Sequence, residues 1–139
     1  MQTVRDVMTT NVEACTTLDN VYEVASKMKE LNVGAIPIVE NGQVMGMITD
    51  RDLVIRGIAE RKPNSQKVTD VMSEHLVTVS PDMSVEEASQ LMAQHQVRRL
   101  PVVQNGQLVG IVALGDLATN KYSDQKAGVA LAEISEPLH

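Results

Sequence analysis

IPIVENGQVMGMI at residues 36–48 returns, without a gap, as LPVVQNGQLVGIV at residues 100–112. In each stretch a short apolar run, Ile36 to Val39 or Leu100 to Val103, leads into Asn41-Gly42 or Asn105-Gly106. A second apolar run follows, Val44 to Ile48 or Leu108 to Val112. Asn-Gly supplies the two successive positive φ angles of a type I′ turn, whose twist suits two antiparallel strands, so each stretch predicts a β-hairpin. The same offset of about 64 positions carries VRDVM at 4–8 onto VTDVM at 68–72. A register held over that distance makes the chain two copies of one unit, joined by the polar stretch GIAERKPNSQK at 57–67.

Working outward from the hairpins, Asn20 and Ser84 each precede apolar residues at helical spacing. These are Val21, Val24, Ala25, Met28 and Leu31 in one copy and Val85, Ala88, Leu91 and Met92 in the other. Glu23 and Glu87 stand where a capping box places its acid. Strands near Glu13 to Thr16 and Val77 to Ser80 open the copies, and further helices begin near Asp50 and Leu114. The order in each copy is strand, helix, strand, strand, helix, an α/β fold of the α+β type. One three-stranded sheet with two helices cannot cover both of its faces, so the copies are expected to pack by pseudo-twofold symmetry into one module. The repeats are drawn at 1–60 and 68–122, with a linker at 61–67 and a C-terminal tail at 123–139.

Composition narrows the function. At 139 residues, 43% of them hydrophobic, the chain buries a core and is too apolar for disorder. A net charge of −6 argues against a nucleic-acid binder that relies on a basic face, and two Tyr with no Phe or Trp exclude aromatic platforms for stacked bases. The single Cys15, with no secretory segment or long apolar run, places the chain in the reducing cytoplasm, away from the membrane. Cys15 reads as packing rather than as a nucleophile. His75, His95 and His139 are scattered, without metal-ligand spacing, so no metal site is expected. Met28, Met45, Met47 and Met92 read as core filler. No Ser-His-Asp or Cys-His arrangement, P-loop or G-x-G-x-x-G is present, and Asp50 and Asp52 beside Arg51 are helix-start charge, so no catalysis is expected.

GMITDRD at 46–52 poses the question on which function turns. Thr49 at a helix N-cap with Asp52 three positions on is a capping box, which satisfies orphan backbone N–H groups. The same residues also present donors, a hydroxyl and a carboxylate to whatever lies in front of the helix, a setting suited to a phosphorylated ligand. Local sequence supports both.

The combination of V-x-D-V-M, a capped helix, the Asn-Gly hairpin and a Thr-x-x-Asp helix start resembles the cystathionine-β-synthase (CBS) domain. Two copies resemble the stand-alone CBS pair called a Bateman module, from about Val4 to Leu117. The resemblance implies paired β-α-β-β-α repeats in a disc with two clefts, adenosine nucleotides in those clefts, and a homodimer of pairs. It assigns the hydroxyl of the G-h-h-[Thr/Ser]-x-x-Asp motif to phosphate and its aspartate to ribose. Copy one matches at Gly46, Thr49 and Asp52; copy two reads GIVALGD, with Ala113 in the hydroxyl's place. By the same resemblance the first cleft takes Met47, Thr49 and Asp52 with Val77, Thr78, Arg98, Arg99 and Pro101, the arginines suiting phosphate. A weaker second cleft takes Ala35, Pro37, Ile111 and Asp116, without the hydroxyl or the basic pair.

The expected function is therefore regulatory. An adenosine nucleotide bound in the cleft between the repeats changes packing or partner binding, with AMP, ADP, ATP or S-adenosylmethionine as candidate ligands, no required cofactor and an unidentified effector protein. The rival is a ligand-independent protein-interaction scaffold that uses the disc face and the tail GVALAEISEPLH.

Overall fold

The computed structural model describes residues 2–73 and 76–118. The tail with Val129, Ala130, Leu131 and Ile134 lies outside them, as do His75 and His139. The chain divides into two compact units that do not follow the linear repeats. A contiguous unit holds Glu13–Leu76; a split unit joins residues 2–12 to the described residues from Val77 on.

In the contiguous unit a three-stranded sheet runs β1 (Cys15–Thr16), β2 (Ala35–Glu40), β3 (Gln43–Thr49), β1 parallel and β3 antiparallel to β2. Asn41 and Gly42 join β2 to β3 with φ of 53° and 81°, the pair of positive angles the turn demands. Before the sheet's central strand comes a helix, Val21–Leu31, capped reciprocally. Asn20 Oδ1 accepts from the Glu23 N–H at 2.8 Å, and the Glu23 carboxylate accepts from the Asn20 N–H at 3.1 Å. Its Val24 and Met28 pack on Ile36, Ile38 and Ile48, with Cys15, Leu53, Val68, Val71 and Met72 completing the core.

The split unit repeats this with β4 (Arg99–Gln104) and β5 (Gln107–Ala113), a turn at Asn105 and Gly106, and a helix, Val85–His95. Here only the Ser84 hydroxyl accepts the N3 N–H, from Glu87 at 3.1 Å. The core joins Val79, Val85, Ala88, Met92, Leu100, Val102, Val112, Leu114 and Leu117 to Val4, from the opposite end of the chain.

Two expectations change. The opening strands are shorter than the sequence suggests: β1 has two residues, and in the second copy Val79 makes a single parallel bridge to Val102. Turns end both at once. The Thr16 N–H donates to the Asp19 carboxylate at 2.8 Å, and the Met83 N–H donates to the Ser80 carbonyl across Pro81 at 3.2 Å. The helix beginning at Asp50 is α-helical only over Asp50–Asp52 and continues as a π-helix over Leu53–Ile58, with five-residue bonds such as Ala59 N–H to the Val54 carbonyl at 2.8 Å. That wider turn buries Leu53 and Gly57 and leaves Val54, Ile55 and Ile58 exposed. The V-x-D-V-M motifs, to which the sequence assigns no element, form a one-turn helix at Val4–Val7 and a 3-10 helix at Val68–Asp70.

Candidate functional site

Thr49 ends β3 and caps the helix that follows. The Asp52 N–H donates to Thr49 Oγ1 at 3.0 Å, and the Thr49 N–H donates to Asp52 Oδ2 at 3.0 Å. The local half of the question is answered: Thr49-x-x-Asp52 is a capping box. Its chemistry is not exhausted by that duty, because an accepting hydroxyl still carries a proton to donate and a carboxylate has a second oxygen. Both residues are half-buried. The Asp50 N–H donates to the Gly34 carbonyl at 2.9 Å, tying the helix start to the junction before β2. A Cβ on Gly34 would stand 3.1 Å from Asp50 Oδ2, so the glycine leaves room for that approach.

The split unit keeps this frame without the hydroxyl. The Ala113 N–H donates to Asp116 Oδ2 at 3.0 Å, and the Leu114 N–H donates to the Arg98 carbonyl at 2.8 Å. Arg98 and Thr78 are exposed, Arg99, Val77 and Asp116 half-buried, Pro101 and Ile111 buried. Thr49, Asp52 and Met47 thus belong to the contiguous unit together with Ala35 and Pro37; Val77, Thr78, Arg98, Arg99 and Pro101 belong to the split unit together with Ile111 and Asp116.

The strands place these residues on the sheet face turned from each unit's core. In β2 and β3, Ile36 and Ile48 pair on the core side, whereas Ala35 pairs with Thr49 and Pro37 with Met47 on the other. In β4 and β5, Leu100 pairs with Val112 toward the core, while Arg99 pairs with Ala113 and Pro101 with Ile111 away from it. Met47 therefore lies on the candidate face and outside the core, and Met45 is exposed, in contrast to their reading as filler. Met28 and Met92 are core residues.

Sequence reasoning missed how the outer strand edges are covered. Met47 exchanges both backbone bonds with Ser73, at 3.3 and 3.0 Å, and Ile111 does the same with Thr9, at 2.8 and 2.9 Å. The Arg56 guanidinium fixes the first of these segments by donating to the Met72 carbonyl at 2.9 Å. The signal lay in the repeated V-M followed by Thr9 or Ser73, at the same offset as the hairpins. Cys15 is 5% exposed, and burial, reinforced by Asp19, pushes its thiol up to about 11, which agrees with a packing role.

Among the described residues no group of three or more His, Cys, Asp or Glu is placed to hold a metal, and no helix is long and apolar enough to cross a membrane.

A family model described as CBS domain matches residues 4–57 and 68–121. YlbB of Bacillus subtilis (strain 168) is 56% identical over 138 residues, covering 98% of this chain and 93% of that one. Hypoxic response protein 1 of Mycobacterium tuberculosis (strain ATCC 25618 / H37Rv) is 36% identical over 120 residues, covering 85% and 84% of the two chains. A crystal structure of Hypoxic Response Protein I, with two coordinated zinc ions, matches with a TM-score of 0.79 over 86% of this chain and 98% of that one. The CBS domain pair of protein MJ0100, solved in complex with 5′-methylthioadenosine and S-adenosyl-L-methionine, shares the fold at a TM-score of 0.77 and 23% identity, covering 86% and 94%.

Proposed function

This chain belongs to the CBS domain family, and from that premise we propose that it is a regulatory ligand-sensing module that binds an adenosine nucleotide. One observation carries the reading. The helix at Leu114 starts on an alanine while keeping the bond from the Ala113 N–H to Asp116 at 3.0 Å, the same length as its Thr49–Asp52 counterpart. A helix begins in this frame without the hydroxyl, which supports a use for it at Thr49 beside capping. The fold itself accommodates adenosine-containing molecules in the MJ0100 pair.

In this reading Asp52 accepts from ribose hydroxyls through the oxygen that its backbone partner leaves over, and Thr49 donates its hydroxyl proton to phosphate. Arg98 and Arg99 supply the guanidinium forks for that phosphate, as the family pattern assigns. Met47, Val77, Thr78 and Pro101 receive the base. Ala35, Pro37, Ile111 and Asp116 form a weaker second position. No catalytic step and no required cofactor is part of the proposal. The signal is a shift between packing states, limited by the ligand's differential affinity for them, and it passes to an effector protein in the cytoplasm.

The test is mass spectrometry of small molecules released from the native protein, with thermal shifts against AMP, ADP, ATP and S-adenosylmethionine. Asp52→Asn is the informative variant, because its amide oxygen still accepts from the Thr49 N–H while the charge is removed. Ligand retained at full affinity by that variant, or no ligand with any of the four probes, ends the proposal.

A distinct observation bears on assembly. Among the described residues the large exposed apolar side chains all belong to the contiguous unit, including Leu18 at 83%, Tyr22 at 61% and Ile58 at 68% exposed. At the same offset the second copy carries Asp82 and Glu86 in place of Leu18 and Tyr22. We propose that a second copy of the chain covers exposed apolar side chains of this unit, giving the homodimer that the resemblance implies; a scaffold that docks another protein there is the rival. Sedimentation should give a dimer for the native chain and a folded monomer for Ile58→Glu, and a native monomer would favour the rival.

A further inference from the structure

The first hairpin carries two sulfur atoms that the second lacks. Where the split unit has Val109 and Ile111 in β5, the contiguous unit has Met45 and Met47 at the same offset in β3. β-Branched residues suit a strand better than methionine, so the second hairpin shows what the fold alone would take at these places. Both hairpins bulge there. Ile38 pairs with Gly46 and Val39 with Val44, which leaves Met45 as the extra residue with no partner across the ladder, as Val109 is left between Leu108 and Gly110. Val109 is half-buried against its unit's core, whereas Met45 is 40% exposed.

Elsewhere among the described residues sulfur is kept from solvent. Cys15, Met28, Met72 and Met92 are buried, and Met8 and Met83 pack against the split unit's core. Met45 and Met47 are the exceptions, two residues apart on one strand, so that alternation puts their side chains on one face with Cα atoms about 7 Å apart. That face is the one turned from the core, where Met47 pairs with Pro37 and Thr49 with Ala35. A thioether open to solvent is a two-electron reductant. Hydrogen peroxide transfers one oxygen to the sulfur: the O–O bond breaks, an S–O bond forms, the sulfur is oxidised and the rest of the peroxide leaves as water. The product is a polar, chiral sulfoxide in place of a flexible apolar chain.

We propose that Met45 and Met47 form a peroxide-reactive modification site, and that their oxidation lowers the chain's affinity for its nucleotide. Met45 reacts first because it is the more exposed; Met47, half-buried beside Pro37, reacts next. The second step carries the effect. A sulfoxide at Met47 sets a strongly polar oxygen where the base is received, beside a proline that has no N–H to donate to it. Reduction of the sulfoxide restores the thioether, so the modification is reversible. The inference rests on the ligand-sensing reading above and adds a chemical regulation of the same site.

Graded hydrogen peroxide on the full native chain tests it, read by peptide mass mapping and by isothermal titration with AMP, ADP, ATP and S-adenosylmethionine. Met45 should gain oxygen first and Met47 second, both about tenfold faster than buried Met28, Met72 and Met92. In the urea-unfolded chain that ranking should vanish. Once Met47 is oxidised, the tightest probe should bind about tenfold more weakly, the scale set by placing an unpaired polar group on an apolar contact. The double variant Met45→Val with Met47→Ile copies the second hairpin and should bind alike before and after treatment; Met45→Leu with Met47→Leu takes its place if it does not fold. Oxidation of Met45 no faster than that of the buried methionines, unchanged affinity with Met47 oxidised, or an equal loss of affinity in the folded double variant overturns the inference and leaves the ligand-sensing reading standing. A native chain that binds none of the four probes overturns both.

Discussion

Thr49 and Ala113 hold the same place in two copies of one hairpin, and Thr49 adds a hydroxyl and a γ-methyl to the alanine's side chain. At Thr49 the hydroxyl has two duties, accepting the Asp52 N–H at 3.0 Å and remaining available as a donor. The duties separate by mutation. Thr49→Ala should cost about 1 kcal/mol of stability by chemical denaturation, the usual worth of an N-cap, and also weaken AMP binding, whereas Thr49→Ser should restore both. A variant that loses stability but binds unchanged would reduce Thr49 to a cap. Cys15 supplies a pH test. Its thiol is raised from 9.0 to about 11 in the folded chain, so the unfolded chain gives up this proton first. Stability from this group is whole below pH 9 and is lost as pH rises toward 11. Cys15→Ala should flatten that alkaline decline in denaturation midpoints. The capping box could be read from spacing alone, because its partners lie three residues apart; which oxygens the box engages could not, since spacing does not fix hydrogen-bond geometry.

Elements were legible where one short-range rule governs them. Asn-Gly gave the turns and their positive φ, and the period of apolar residues gave both long helices. The π-helical stretch was not legible, because its Leu53, Val54, Ile55 and Ile58 suit α and π spacing alike and the wider turn is selected by what packs against it. Glycine marks the same divide. Gly46 and Gly110 belong to the ligand motif by resemblance, yet the structure gives them a packing duty. A Cβ on Gly46 would stand 2.7 Å from the Ser73 carbonyl oxygen and 2.9 Å from Met72 Sδ, and one on Gly110 would stand 2.9 Å from the Thr9 carbonyl oxygen and 2.8 Å from Met8 Sδ. A carbonyl held in an edge bridge cannot retreat as a flexible side chain does. Gly46→Ala should therefore destabilise by about 1–3 kcal/mol, as overpacking does. At Gly115, in the helix Leu114–Ala118, an added Cβ would meet nothing within 4 Å among the described residues, and Gly115→Ala should stabilise by about 0.5–1 kcal/mol through helix propensity. Opposite signs in thermal melts check the pair.

For the whole molecule, the most consequential feature is which V-x-D-V-M segment completes which core. The first packs with the second hairpin and the second with the first: fully buried Val4 lies with Val79, Val85, Leu100 and Val112, and fully buried Val68 with Val24, Ile36, Ile38 and Ile48. The sequence could not assign this, because VRDVM and VTDVM carry the same apolar pattern and either would fill either core; long-range contact decides. Backbone bonds follow the same partition, Val4 N–H to the Met83 carbonyl at 2.8 Å and Val68 N–H to the Asp19 carbonyl at 3.0 Å. Truncating a buried Val to Ala removes apolar contacts and leaves a cavity, at about 2 kcal/mol, and the loss is felt first by the unit that owns the core. Val4→Ala should thus lower amide-exchange protection across residues 99–113, more than ninety positions away, while residues 35–49 keep theirs. Val68→Ala should do the converse, exposing 35–49 and sparing 99–113, although position 68 opens the second repeat. Protection lost in the hairpin of the same linear repeat, in either variant, would falsify the exchanged partition.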